Sequence, residues 1–168
     1  TIFAIFAGIY HWYPKVTGRL MNEFWGKVHF WLSLVFMNLV FQPMFAQGMA
    51  GMLRRMSDGG VSYSLDKVGS DAIGGLTKSI MDMNGHISHA VWALGLAQLP
   101  FIINFFWSIK HGRPVTSDNP WEATTLEWQT PTPPPHGNFA TPPKVYRGPF
   151  EYSVPGQTKD FTPQNQTA

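Results

Sequence analysis

Between Lys27 and Arg54 the chain runs for 26 consecutive residues without Asp, Glu, Lys or Arg, and between Asp82 and Lys110 it does so for 27. At about 1.5 Å rise per residue, each stretch makes a helix of roughly 40 Å, enough to cross a hydrocarbon core of roughly 30 Å. Charged side chains are the ones hydrocarbon tolerates least, so their absence over such lengths predicts an integral membrane protein. The competing arrangement is a buried helix pair in a soluble bundle, but both stretches exceed ordinary globular helices.

Mean hydropathy over the whole chain is near zero only because its two halves cancel. Residues 1–109 hold the apolar runs, whereas residues 114–168 hold most of the prolines, including Pro131, Pro133, Pro134, Pro135, Pro142 and Pro143. The chain has no cysteine, which excludes disulfides and thiolate metal sites. A formal charge of +2 is too small to suggest nucleic-acid binding. Lys and Arg instead gather at the ends of the apolar runs, where they meet lipid headgroups.

The expected fold class is an all-α membrane protein: the end of one transmembrane helix, two complete transmembrane helices, then a long extended Pro-rich tail. Residues 1–13 are apolar and aromatic but reach only roughly 20 Å, too short to span. Tyr10, Trp12 and Tyr13, followed by Pro14 and Lys15, read as the interfacial end of a helix that begins upstream. Residues 14–28 form a polar loop. Residues 29–53 are the first complete span, with Pro43 as a kink and Gly48, Ala50 and Gly51 as a face for close approach. Residues 54–82 are a connector that turns at Asp58-Gly59-Gly60 and carries a possible interfacial helix over Leu65–Met81. Residues 83–109 are the second span, with a kink expected at Pro100, and residues 110–168 are the tail.

Two complete spans put the 14–28 loop and the tail on the same side of the membrane. Lys15, Arg19, Lys27, Lys110 and Arg113 lie there, against Arg54, Arg55, Lys67 and Lys78 on the other. The excess of basic residues places loop and tail in the cytoplasm. Arg54 and Arg55 then sit outside at a helix end. They are either snorkelling anchors or an anion clamp, because guanidinium forks match carboxylates in bidentate geometry.

The blocks Ala7-Gly-Ile-Tyr-His-Trp-Tyr-Pro-Lys-Val-Thr-Gly18, Lys27-Val-His-Phe-Trp31 and Gly48-Met-Ala-Gly-Met-Leu-Arg-Arg55 resemble the end of the catalytic subunit of haem–copper cytochrome c oxidase. Asp118-Asn-Pro-Trp-Glu-Ala-Thr-Thr-Leu-Glu-Trp128 and Pro133-Pro-Pro-His-Gly-Asn-Phe139 resemble the tail of that subunit. The resemblance covers nearly the whole chain in order. It implies the end of the tenth helix, the eleventh and twelfth helices and the cytoplasmic tail, in a multi-pass protein of the bacterial inner membrane. It also implies that Arg54 and Arg55 bind the propionates of the two haems. The family's His-x-His haem ligands and its other haem and copper ligands would lie upstream, so no metal-ligating or catalytic residue is assigned in this chain. The implied partners are the upstream portion of the same subunit, other oxidase subunits, cytochrome c as electron donor, and lipid. Two departures stand out: Leu53 precedes the arginine pair where many members have Pro, and no His follows Pro43.

Other polar residues at membrane depth offer alternatives. His86 and His89 share a helical face at a spacing compatible with a metal, or else join Asn84, Ser88 and Gln98 in hydrogen bonds between helices. His29 is read as an interfacial or packed residue, and His11, beside Trp12, as a headgroup-level one. His111 and His136 read as solvent-facing. Asn38, Gln42 and Asn104 should face protein, cofactor or water. Met44, Met49, Met52 and Met56 suit packing better than soft-metal ligation. The leading functional expectation is thus an inactive portion of a proton-pumping oxygen reductase. A non-catalytic membrane scaffold of a respiratory complex is the alternative, and a related nitric oxide reductase stands third.

Overall fold

The structure, a computed structural model, describes residues 1–50, 52, 55, 83–148, 150–151, 156 and 162–167. Arg54, Leu53, Gly51, Met56 and the helix expected over Leu65–Met81 lie outside the described residues. Helix α1 spans Ile2–Thr17, strand β1 Arg19–Leu20 and helix α2 Glu23–Met49. Helix α3 spans Met83–Leu96, α4 Leu99–His111 and strand β2 Arg113–Pro114. One turn of 3₁₀ helix follows at Leu126–Gln129. Two compact units result: residues 1–22 with 104–168, and residues 23–103.

In the second unit, α2 packs along α3. Glu23–Met49 and Met83–His111 are each long and apolar enough to cross a membrane, and only 17% of the apolar window in each is buried. A soluble core helix would be buried over most of that window. Here Phe24, Trp31, Phe41, Phe45, Trp92 and Leu96 are exposed, an apolar surface that requires lipid or neighbouring helices. Helix α2 starts six residues before the expected span, and Glu23 pairs with Lys27 (2.6 Å) across its first turn. It continues through Pro43. The second span is interrupted at Ala97–Gln98, where Gln98 N–H bonds back to Gly95 O at 3.1 Å. The break sits in the turn before Pro100, where the missing N–H and ring clash loosen the ladder.

In the first unit, α1 runs four residues past its expected end. Pro14 is buried inside it, and Gly18, at φ 70°, closes it by donating its N–H to Pro14 O. A left-handed cap favours glycine, which has no Cβ to clash. The all-α expectation needs one addition. β1 and β2 pair antiparallel, Arg19 opposite Pro114 and Leu20 opposite Arg113, and the Arg19 guanidinium donates to Gly112 O at 2.8 Å. The Pro-rich segment contains no long helix or strand among its described residues, yet it is held. Trp128 is 1% exposed, and Gln164 links residues 124–126 to residues 146–147 through backbone and side-chain bonds.

At Gly112 a Cβ would stand 2.5 Å from Ser108 O and 2.6 Å from Leu20 O, both backbone atoms that have little room to yield. Gly112→Ala should therefore destabilise the protein by about 1–3 kcal/mol, measured as a lowered denaturation midpoint in detergent, with Gly148→Ala as a near-neutral control.

Candidate functional site

Polar side chains between α2 and the second span are satisfied by one another. His29, 3% exposed, meets Gln98 Oε1 through its Nε2 at 3.0 Å and lies against the Phe101 ring. Because the amide oxygen can only accept, Nε2 carries the proton. Gln98 Nε2 donates to Ser33 Oγ at 3.1 Å and to Leu94 O at 3.0 Å. Nearer the other end, Gln47 donates to Asn84 Oδ1 at 2.8 Å. Gln98 and Asn84 thus bond between helices, but their partners are His29, Ser33 and Gln47, where the sequence suggests His86 and His89. Ser88 and His89 instead turn back on their own helix, to Asn84 O and Gly85 O. No group of three or more metal-ligating side chains occurs among the described residues.

Asn38 donates to Leu34 O and Gln42 to Asn38 Oδ1, so these amides are partly satisfied within α2. They line an open groove of about 590 Å³ with Leu34, Val35, Pro43 and Ala46. Its wall is chiefly apolar, suited to a neighbouring helix or an apolar ring system. Arg55 is exposed at φ 60°, and its partner in the expected clamp, Arg54, is outside the described residues.

The first unit contains two clusters. Asn104, 3% exposed, donates to Asn22 O (2.9 Å) and accepts from Asn22 N–H and Ser108 Oγ. It therefore faces protein, as a polar group at that depth must. The second cluster was not legible from the sequence. Lys15, 4% exposed, donates to Thr130 O (2.6 Å), Asp118 O (2.8 Å) and Thr132 Oγ1 (3.1 Å), with its ammonium 5.4 Å from the centre of the Trp128 ring. Burial pushes this ammonium below its ordinary value, and the nearby Asp118 carboxylate draws it partly back up. His11, expected to be a headgroup-level residue, instead accepts the Trp128 indole N–H at Nε2 (3.2 Å) and stacks with Trp121. An indole nitrogen only donates, so this Nε2 is unprotonated. Trp121 donates in turn to His11 O. The only hint in the sequence is the pair of tryptophans set in an otherwise polar, proline-rich tail.

Two helices long and apolar enough to cross a membrane, with outward apolar side chains and with amides and the His29 imidazole bonded between them, define a helical membrane protein. The model of the family "Cytochrome C and Quinol oxidase polypeptide I" matches residues 1–83. The "Alternative cytochrome c oxidase subunit 1" of Bradyrhizobium diazoefficiens is 44% identical over 167 residues, 98% of this chain and 26% of that protein. "Cytochrome c oxidase subunit 1" of Synechocystis is 36% identical over 165 residues, 98% of this chain and 27% of that protein, and that of Thermostichus vulcanus is 35% identical over 154 residues, 92% and 25%. The chain spans about a quarter of the length of the curated relatives it matches. It belongs to the cytochrome c and quinol oxidase polypeptide I family, the haem–copper oxidases.

Replacing Gln98 by Leu would strip His29 and Ser33 of their shared partner. The expected cost is about 1–2 kcal/mol, read as earlier unfolding in a denaturing-detergent titration, and an unaltered midpoint would show these bonds to be dispensable.

Proposed function

We propose that this chain is the C-terminal portion of the catalytic subunit of a respiratory haem–copper oxidase of a bacterial cytoplasmic membrane. The whole enzyme would pass electrons from cytochrome c to oxygen, form water and couple the reaction to proton pumping. The carrying observation is similarity to subunit 1 proteins over 98% of this chain, of which the chain makes up about a quarter. This portion contributes the wall helices α2 and α3–α4. The upstream portion of the same subunit contributes the metal ligands. Other oxidase subunits and lipid cover the remaining apolar surface, and the tail lies in the cytoplasm.

Haem and copper supply the electron transfer and the oxygen chemistry. The role proposed for Arg54 and Arg55 is electrostatic. An exposed Arg55 guanidinium, six residues beyond the last residue of α2, suits a haem propionate, because its planar fork pairs with both carboxylate oxygens. Fixed positive charge beside a haem favours the form carrying the extra electron, raising the reduction potential. The adjacent Arg54 would hold the second propionate.

In the assembled oxidase, Arg54→Ala or Arg55→Ala should lower a haem potential by several tens of millivolts, since a tenfold one-electron shift is about 59 mV, and slow turnover. Unchanged potentials and turnover would leave the pair as lipid anchors. The isolated chain should bind neither haem nor copper stoichiometrically on metal and pyridine-haemochrome analysis.

A further inference from the structure

A lysine in the last turn of a membrane helix, just past its aromatic residues, ordinarily extends its ammonium to water and lipid phosphate. Lys15 does neither. Its ammonium is enclosed by Thr130 O, Asp118 O and Thr132 Oγ1 at 2.6, 2.8 and 3.1 Å, with the face of the buried Trp128 ring closing a further side. Three oxygens use all three N–H donors of a primary ammonium, and the indole face adds its quadrupole. Asp118 does more than offer its carbonyl. Its carboxylate accepts the Thr132 N–H at 2.8 Å, which fixes the turn bearing the third acceptor. Thr130 Oγ1 in turn bonds Glu127 O.

We propose that residues 118–132 form an ammonium-binding cage whose built-in ligand is Lys15, and that this one cation straps the tail onto the end of α1. The cage is selective by geometry. Three acceptors converging on one nitrogen suit a tetrahedral ammonium, whereas a planar guanidinium spreads its donors over several atoms. The His11–Trp128 and Trp121–His11 bonds reinforce the same contact from the adjoining turn of α1. The tail thus takes the place of lipid headgroups for this lysine. Acylation of Lys15 removes the charge and all but one N–H, so the strap closes only on the unmodified side chain. The inference rests on this geometry alone and stands apart from the oxidase reading.

The test begins with the unaltered full-length protein in detergent-solubilised membranes, labelled with an amine-acylating reagent and read by peptide mass spectrometry. Lys15 should react at least roughly tenfold more slowly than the exposed Lys110 and Lys144, because labelling requires opening charged hydrogen bonds. Reaction at an equal rate would overturn the proposal without any variant. In Lys15→Ala, proteolysis between residues 113 and 128 should rise several-fold, and n-propylammonium, the missing part of the side chain, should restore protection where n-propanol does not. Unchanged proteolysis, or equal rescue by the alcohol, would also sink it, the latter by showing that the site recognises bulk and not charge.

Discussion

Inside hydrocarbon no water is available to satisfy a polar group, so each amide, hydroxyl or imidazole on a spanning helix must find its partner on protein. That constraint organises the unit formed by α2 and the second span. Their outer surfaces are Phe, Trp, Leu and Val, which gain nothing from one another over lipid tails. Association therefore depends on packing and on a few hydrogen bonds between helices. Gln98 holds the centre of this arrangement, with His29, Ser33 and Leu94 O as partners, and Gln47 with Asn84 repeats the device nearer the other end. The tightened turn before Pro100 accompanies the position from which Gln98 reaches α2.

The same rule operates differently at the membrane boundary. Lys15 stands in the last turn of α1, yet its charge is enclosed by carbonyl and hydroxyl oxygens of the tail. Burying an ammonium is costly unless every donor is paired, and here each is. Around the buried Trp128 the described part of the tail is consequently pinned in place, although its composition is that of an unstructured segment. Proline-rich chain has no regular hydrogen-bond ladder to make, so its carbonyls remain free to accept from side chains. That leaves Thr130 O and Asp118 O available to Lys15.

Membership of the oxidase family gives these features a setting. The chain makes up about a quarter of the length of its relatives, and its apolar flanks are those of helices that pack within a larger membrane protein. The open groove beside Asn38 and Gln42 and the exposed Arg55 are surfaces that such a larger protein would cover.

The charge-free runs were enough to place α2 and the second span, because hydrophobic length is a local property that no distant contact can supply. Pro100 likewise announced the interruption, since a missing N–H acts on its own turn. Membership of the family was legible in several short blocks that occur in order along the chain, Gly48–Arg55 among them. What the sequence alone could not specify is which polar groups meet. His89 and Gln98 look equally available as bridging residues, but only Gln98 reaches the neighbouring helix, because rotation of each helix about its axis is set by packing. Lys15 looked like a headgroup anchor, and its burial depends on residues more than a hundred positions away. Local chemistry thus determined where the helices lie and where charge is excluded. Long-range folding alone decided which charge is enclosed and by what, because hydrogen-bond partners are chosen by position in space and not by distance along the chain.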